Sequence, residues 1–358
     1  MSDRLERVLE RLPETGVDAL LVSDPLNLRY LTGFSGSNGL AVIAPGRAVF
    51  LTDFRYTERA AAELDEAFER HTVPGGELLE AVAEFLPEGE LALGFDDAHL
   101  SVRQHAGLSE RLGERVRLLG VCGLVESLRA IKDEAEIAHI AEAAELADAA
   151  LRRIVGDGLE GRTETDVALA LEIDMRRRGA TRPSFPVIVA AGANGALPHA
   201  APRDVEIRRG DLVVIDWGAE LDGYCSDCTR TFSVGEPAPE ARRVYELVLE
   251  AQLAGLHAVR AGVDGRDADS AARDLIEAGG HGQHFGHGLG HGVGIEVHEA
   301  PRLSQRSSDR LEPGHVVTVE PGIYLPGRFG VRIEDLVAVT ANGPRVLTSL
   351  SKELTAVE

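Results

Sequence analysis

The stretch GDLVVIDWGAEL at residues 210–221 aligns with GHVVTVEPGIYL at residues 314–325, at a constant offset of 104 residues. Each copy is a glycine turn, an apolar strand-like run, a carboxylate at the end of that run and a second glycine. A further acid follows each copy. The four acids are Asp216 and Asp227 in the first half and Glu320 and Glu334 in the second. Two related half-domains are therefore predicted, and their four carboxylates meet if the halves pack face to face.

Acids at the ends of apolar strands cost free energy to bury unless a partner neutralises them. Only two lysines are available, Lys132 and Lys352, so the four carboxylates favour bound cations over structural ion pairs. Five of the twelve histidines also fall within residues 281–298: His281, His284, His287, His291 and His298. Glycines surround them, but the chain has no GxGxxG or GxxxxGK[ST] motif, which argues against a phosphate-binding loop. A solvated histidine-rich loop is the other alternative, although His291 and His298 flank a strand-like run at residues 293–297, which argues against it.

Length and hydrophobic period predict two domains. A chain of 358 residues with 44% hydrophobic residues can bury two cores. The first ~120 residues alternate between helix-like and strand-like periods and contain no cluster of chemically active side chains. One of the helices in this part is predicted over residues 60–69. We predict an α/β N-terminal domain over residues 1–125 and a second, α+β domain with duplicated half-domains over residues 126–358. Helices in the second domain are predicted over residues 132–154, 164–178, 239–260 and 267–278.

Charge and apolar patterning exclude several classes of partner. The net charge of −22 repels nucleic acid and anionic lipid, so neither is expected to bind. The chain has no run of ~18 apolar residues, the length that a membrane-spanning helix needs. The charged N-terminus also lacks the apolar segment of a secretory signal. A cytoplasmic location is therefore expected. Cys225 and Cys228 form a C-x-x-C pair, which cannot complete a four-ligand zinc site alone, so we interpret them as half-buried strand residues.

An ordered set of motifs in the second domain resembles the pita-bread metallopeptidases, and in particular the aminopeptidase P and prolidase branch. The motifs are DWGA at 216–219, SDCTRT at 226–231, HGLGHG at 287–292, HEAP at 298–301, EPG at 320–322 and RIE at 332–334. The resemblance covers roughly residues 128–350. A weaker resemblance to the family's N-terminal domain lies in NLRYLTG at 27–33 and LTDFRY at 51–56.

The resemblance implies two divalent metal ions and five ligands. The implied ligands are Asp216, Asp227, His291, Glu320 and Glu334. Asp227 and Glu334 would bridge both ions. Four carboxylates and one imidazole form an oxygen-rich set that suits Mn²⁺ before Zn²⁺, and Co²⁺ could substitute. Two such ions roughly 3.5–4 Å apart can activate a shared water and polarise a peptide carbonyl.

The resemblance also implies catalytic and substrate-binding residues. The implied catalytic residues are His199, His287, His298, Glu320 and Arg332, and the implied substrate-binding residues are Phe185, Arg302 and Tyr324. His298 would stabilise the developing oxyanion, and Glu320 would carry a proton to the leaving proline nitrogen. Arg302 could bind a substrate carboxylate, whereas Arg332 could equally form a structural salt bridge. Phe185 could contact the proline ring, with Pro186 and Trp217 as further candidates or as core residues.

The expected activity is hydrolysis of the peptide bond between an N-terminal residue and a following proline. The expected partners are peptides with proline at the second position, and the family implies a homodimer. Three alternatives stay open: a methionine aminopeptidase, a creatinase, and a catalytically inactive pita-bread module that binds a partner. The residues do not decide between dipeptides and longer peptides as preferred substrates.

Overall fold

The computed structural model describes residues 3–358, which form two compact units divided between Arg129 and Ala130. The first unit is an α/β domain built on one mixed six-stranded sheet of order β4-β3-β2-β1-β5-β6. Its strands are β1 Ala19–Val22, β2 Gly39–Ala44, β3 Arg47–Thr52, β4 Glu69–Thr72, β5 Leu91–Phe95 and β6 Val116–Gly120. Its helices are α1 Asp3–Arg11, α2 Pro25–Thr32, α3 Thr57–Glu63, α4 Leu78–Ala81, α5 Val102–Leu112 and α6 Leu124–Ala130. The domain boundary predicted between residues 125 and 126 lies inside α6.

The second unit contains four long helices and many short strands. The helices are α7 Glu134–Gly156, α8 Glu164–Arg178, α9 Pro239–Ala258 and α10 Gly265–Ala278. The strands are β7 Arg182–Pro183, β8 Ile188–Ala191, β9 Leu212–Trp217, β10 Ala219–Leu221, β11 Tyr224–Cys225, β12 Cys228–Val234, β13 Gly290–Gly292, β14 Glu299–Leu303, β15 Val316–Val319, β16 Gly322–Leu325, β17 Phe329–Arg332, β18 Asp335–Thr340, β19 Gly343–Val346 and β20 Ala356–Val357.

The predicted duplication is confirmed by the two main sheets of this unit. One sheet has the order β20-β12-β9-β8, and the other has the order β14-β13-β15-β18-β19. At the centre of each lies an antiparallel pair, β9 with β12 and β15 with β18. Because the strands of a pair run in opposite directions, the end of the first lies beside the start of the second. Each half-domain thereby places its two acids side by side at one end of this central strand pair.

Two helices cover each sheet and bury its apolar face. One core joins α7 and α8 to β8, β9 and β12, and the other joins α9 and α10 to the strands around β15 and β18. Local signals fix the helix ends. Asp133 and Glu136 form a capping box at the start of α7, and Thr163 caps α8. Gly179, with a φ of 121°, ends α8 in a conformation that disfavours other residues.

No helix within residues 3–358 is long and apolar enough to cross a membrane. Cys225 and Cys228 lie on β11 and β12 as predicted, although both are buried rather than half-buried. The Cys228 thiol donates to the Glu334 carbonyl oxygen at 3.2 Å, and the Cys225 thiol donates to that of Ile295 at 3.6 Å. Both cysteines are free thiols.

His315, just before β15, predicts an acid-sensitive contribution to stability. It is buried, and its Nδ1 accepts the N–H of Glu312 at 3.0 Å, which requires an unprotonated Nδ1. Burial, followed by the positive charge of Lys132, lowers the pKa of His315 from 6.5 to about 4. As pH falls, His315 is therefore protonated in the unfolded chain before it is protonated in the folded protein. The stabilisation is thus complete above pH 6.5 and is lost toward pH 4, with an upper bound of about 3 kcal/mol.

His315→Asn keeps an acceptor for Glu312 but cannot be protonated in this range. Urea unfolding of both proteins at intervals between pH 4 and 7 measures the effect. The stability of the variant is expected to depend less steeply on pH than that of the parent protein. Parallel pH profiles would contradict the assignment, whatever the absolute stability of the variant.

Candidate active site

The structure brings the five predicted metal ligands together at the meeting point of the two half-domains. Carboxylate oxygens of Asp216, Asp227 and Glu334 lie within 4.8 Å of one another. The Nε2 atom of His291 lies 3.7 Å from Oδ2 of Asp227 and 3.4 Å from Oε1 of Glu320. Four acids and one imidazole therefore form one cluster, although they are spread over more than one hundred residues of the sequence, from Asp216 to Glu334.

His291 reaches this cluster because β13 runs between two strands at very close range. A Cβ atom on Gly290 would lie 2.0 Å from the Thr318 carbonyl oxygen, and one on Gly292 would lie 2.1 Å from that of Ala300. Only glycine fits at these two positions. The glycines that flank His291 in the sequence therefore have a packing cause.

Burial and mutual repulsion raise the pKa values of the acids in the cluster. Burial, and next the Glu334 carboxylate, raise the pKa of Asp227 well above its usual range. Burial, and next Glu320, raise the pKa of Glu334 in the same way. For Glu320, burial raises the pKa to about 7. A neighbouring cation would reverse these shifts, because an opposite charge favours the ionised form.

The protonation of His291 supports a cation at this place. Its Nδ1 lies 3.1 Å from the Gly292 carbonyl oxygen, which can only accept, so Nδ1 carries the proton and Nε2 presents a lone pair. Burial lowers the pKa of His291 to about 3, so the ring is neutral. A lone pair that faces two carboxylates is unfavourable unless a cation lies between them. Within residues 3–358, Oδ1 of Asp216 is also buried without a hydrogen-bond partner. The donor set fits hard divalent cations.

Two threonines support the cluster, and the sequence analysis missed both. Thr229 donates its hydroxyl to Oε2 of Glu334 at 2.6 Å, and Thr318 donates to Oε1 of Glu320 at 3.1 Å. Such contacts orient ligating carboxylates. Thr229 follows Asp227 in the SDCTRT motif, and Thr318 precedes Glu320 on β15. In the sequence, Thr229 lies two residues after Asp227, and Thr318 lies two residues before Glu320. Residues two apart on a strand point to the same side of the sheet, and this spacing was the available signal.

Arg332 forms the structural salt bridge that the sequence left open. Its Nη2 donates to Oδ2 of Asp216 at 2.5 Å, its Nε donates to Thr229 at 3.0 Å, and its Nη1 donates to the Tyr324 hydroxyl at 2.8 Å. The Tyr324 hydroxyl lies 2.9 Å from Nε2 of His287. Nδ1 of His287 donates to the Gly288 carbonyl oxygen at 2.8 Å, so Nε2 accepts from Tyr324. One chain of hydrogen bonds thus links Asp216 to His287.

A cavity of about 580 Å³ opens onto the cluster. The predicted residues Phe185, His199, His287, His298, Arg302 and Arg332 line it together with the five cluster residues. One wall is apolar and consists of Phe185–Ile188, Pro198 and Ala200–Pro202. Two candidates lie elsewhere. Tyr324 is buried behind Arg332 and His287, and Trp217 is a fully buried core residue.

The fold and the site define a two-domain metallopeptidase. Residues 138–341 match metallopeptidase family M24, and residues 4–131 match the creatinase/prolidase N-terminal domain. The chain belongs to metallopeptidase family M24, and its second unit has the pita-bread fold.

Relatives match over nearly the whole chain. The Xaa-Pro dipeptidase of Pyrococcus furiosus is 38% identical, over 99% of this chain and 100% of the relative. The structure of an Xaa-Pro dipeptidase from Bacillus anthracis is 42% identical, with a TM-score of 0.95 and 99% of both chains covered. That of an X-Pro aminopeptidase from Thermotoga maritima is 38% identical, with a TM-score of 0.91 and 99% and 100% covered.

Proposed function

We propose that the protein is a dinuclear metal-dependent Xaa-Pro peptidase. The observation that carries the proposal is a buried carboxylate cluster that opens into a cavity with one apolar wall. The cluster suits a cation-assisted hydrolysis, and the wall suits an uncharged ring such as proline. Relatives named for Xaa-Pro dipeptidase and X-Pro aminopeptidase activity support the same substrate class.

The proposed cofactor is a pair of divalent cations, with Mn²⁺ preferred and Co²⁺ or Zn²⁺ as substitutes. Asp216, Asp227, His291, Glu320 and Glu334 would hold them, and Asp227 and Glu334 would contact both. When bound, the cations supply Lewis acidity toward the substrate carbonyl and the attacking water. Thr229, Thr318 and Arg332 hold the carboxylates in place through the hydrogen bonds described above.

The protein's own side chains would handle charge and protons. His298 donates a hydrogen bond to the carbonyl oxygen as negative charge develops on it. Glu320 carries a proton to the proline nitrogen, which has no N–H and must leave as an amine. Arg302, exposed at the cavity, pairs with the carboxylate of a dipeptide. Phe185 packs against the proline ring, and His199 also faces the substrate. Tyr324 acts through Arg332 and His287.

The test is an assay of chelated and Mn²⁺-reloaded protein on Ala-Pro, Ala-Pro-Ala, Ala-Ala and Met-Ala. Chelation should abolish activity and Mn²⁺ should restore it, with cleavage only of the proline substrates. Hydrolysis of Ala-Pro alone would define a dipeptidase, and release of alanine from Ala-Pro-Ala would define an aminopeptidase. Preferred cleavage of Met-Ala would instead support a methionine aminopeptidase. Metal-loaded protein that cleaves none of the four would support a binding module.

We further propose that the protein acts in the cytoplasm and that it forms a homodimer, the assembly that the family resemblance implies. Sedimentation equilibrium at assay concentrations measures the assembly. A fully active monomer would contradict it.

A further inference from the structure

The carboxylate of Glu164, the first residue of α8, is completely buried and yet gathers hydrogen bonds from one neighbouring segment. Oε1 accepts the Ala191 N–H at 2.8 Å and Nη2 of Arg203 at 3.0 Å. Oε2 accepts Nδ2 of Asn194 at 2.9 Å, the Arg203 N–H at 2.8 Å and Nε of Arg203 at 3.1 Å. All five donors lie within residues 191–203. One buried carboxylate therefore holds both ends of this segment.

The arrangement uses strong interactions. Hydrogen bonds to an ionised acceptor are stronger than neutral ones, and a buried carboxylate is tolerated only when it is paired and fully bonded. The start of a helix also favours a negative charge. Backbone bonds extend the attachment, because the N–H groups of Glu164 and Thr165 donate to the carbonyl oxygens of Val205 and Arg203. The segment is thus attached to α8 and to the end of β8 at the same time.

The segment carries one wall of the active-site cavity. Pro198, His199, Ala200, Ala201 and Pro202 line the cavity between the two attached ends. Inside the segment, Nδ2 of Asn194 also donates to the Ala201 carbonyl oxygen at 3.2 Å. On the cavity side, Nη1 of Arg332 donates to the Pro198 carbonyl oxygen at 3.1 Å. The wall thus has contacts from Asn194 and Arg332, and Glu164 holds the residues that flank it, Asn194 before it and Arg203 after it.

We propose that Glu164 is a positioning residue that sets substrate affinity by fixing the cavity wall at residues 198–202. The proposal rests on the proposed function, since the wall is taken to contact the peptide. Glu164 lies outside the cavity lining and does not touch the substrate. Its loss should therefore loosen the wall while the carboxylate cluster keeps its geometry. A residue needed only for global stability would lower the active fraction and leave KM unchanged.

The experiment compares Glu164→Gln with Asp174→Asn in the Mn²⁺-loaded protein. Glutamine keeps the size of the side chain but removes the charge and places an amide donor against the five donors. Asp174 is a matched control on the same helix, because it pairs with Arg153 and Arg178 and is absent from the cavity lining. Glu164→Gln should raise KM for the preferred proline peptide about tenfold and change kcat less than about threefold. Asp174→Asn should leave KM unchanged.

Amide hydrogen exchange supplies a readout that does not depend on activity. The N–H groups of Ala191 and Arg203 donate directly to Glu164, so their exchange should accelerate about tenfold or more in Glu164→Gln and stay unchanged in Asp174→Asn. If the parent protein cleaves no proline peptide, the proposed function fails, and exchange alone decides whether Glu164 fixes the segment.

Arg203→Ala covers the case in which Glu164→Gln does not fold. The Arg203 side chain is 47% exposed, and its removal takes away two of the five donors while the backbone donors stay. It should raise KM about threefold and accelerate exchange at Ala191. Unchanged exchange, unchanged KM with a reduced kcat, or an equal rise in KM for Asp174→Asn would each overturn the proposal.

Discussion

Replacement of Asp227 by asparagine is expected to remove bound metal and to lower kcat about 10³-fold, equivalent to about 4 kcal/mol of transition-state stabilisation. Asparagine matches the size of the side chain but carries no charge. Asp227 is buried, the charges of Glu334, Asp216 and Glu320 oppose its ionisation, and the neutral His291 lies 3.7 Å away. We propose that it contacts both cations. Its neutralisation should therefore weaken both sites at once, since carboxylates supply most of the charge in an oxygen-rich site.

Metal content after dialysis, measured by elemental analysis beside kinetics, tests this expectation. Asp148→Asn is the matched control, because Asp148 is also fully buried in the second unit, and within residues 3–358 its carboxylate accepts hydrogen bonds only from the backbone and side chain of Ser349. The control should keep its metal and its activity. Two equivalents of metal retained by Asp227→Asn would contradict a bridging role.

The half-domain repeat was predictable because its cause is local. An apolar run with a terminal carboxylate reads as a buried strand, and antiparallel pairing places the acids of each half at one edge without further information. Helix α8 was predicted with its observed ends, Glu164 and Arg178, because Thr163 and Gly179 mark them in the sequence. Where caps and period agree, sequence and structure agree.

Other elements depend on distant contacts and were predicted wrongly. The helix predicted over residues 60–69 ends at Glu63, and Glu69 instead begins β4, which pairs with β3. The strand-like run 293–297 is irregular, since β13 ends at Gly292 and the Gly294 carbonyl oxygen accepts the Cys225 N–H. In both places the tertiary partner overrides the local pattern.

The support of the site was the least predictable part. Thr229 meets Glu334, and Glu164 meets Arg203, across long stretches of chain. The position of Thr229 two residues after Asp227 marks it as a supporting residue, but nothing in the sequence pairs it with Glu334, or Glu164 with Arg203. From the sequence alone, Glu164 is an acid in the first turn of a helix, where the helix dipole favours a negative charge. The five donors around its carboxylate become apparent only in the folded structure. Ligand types can therefore be deduced from a repeat, whereas the residues that position them cannot.

His298→Ala is expected to leave the metal content intact and to lower kcat by about 10²–10³, the usual effect of one lost oxyanion donor. Nε2 of His291 faces Asp227 and Glu320. His298 instead lines the cavity and packs edge-on against the His291 ring, with 4.3 Å between the two ring centroids. The geometry separates a ligand from a donor. KM should change little, because a contact that strengthens only in the transition state does not hold the ground state.

Metal content must be measured before the kinetics, because the edge contact with His291 could transmit a packing change to the ligand. His298→Gln retains a donor near the same place, and it should recover part of the lost kcat with the same metal content. If His298→Ala lost metal while Asp227→Asn kept both ions, the two histidines would have to exchange roles. If His298→Gln recovered nothing and His298→Ala raised KM as strongly as it lowered kcat, His298 would bind the ground state and the oxyanion assignment would be wrong.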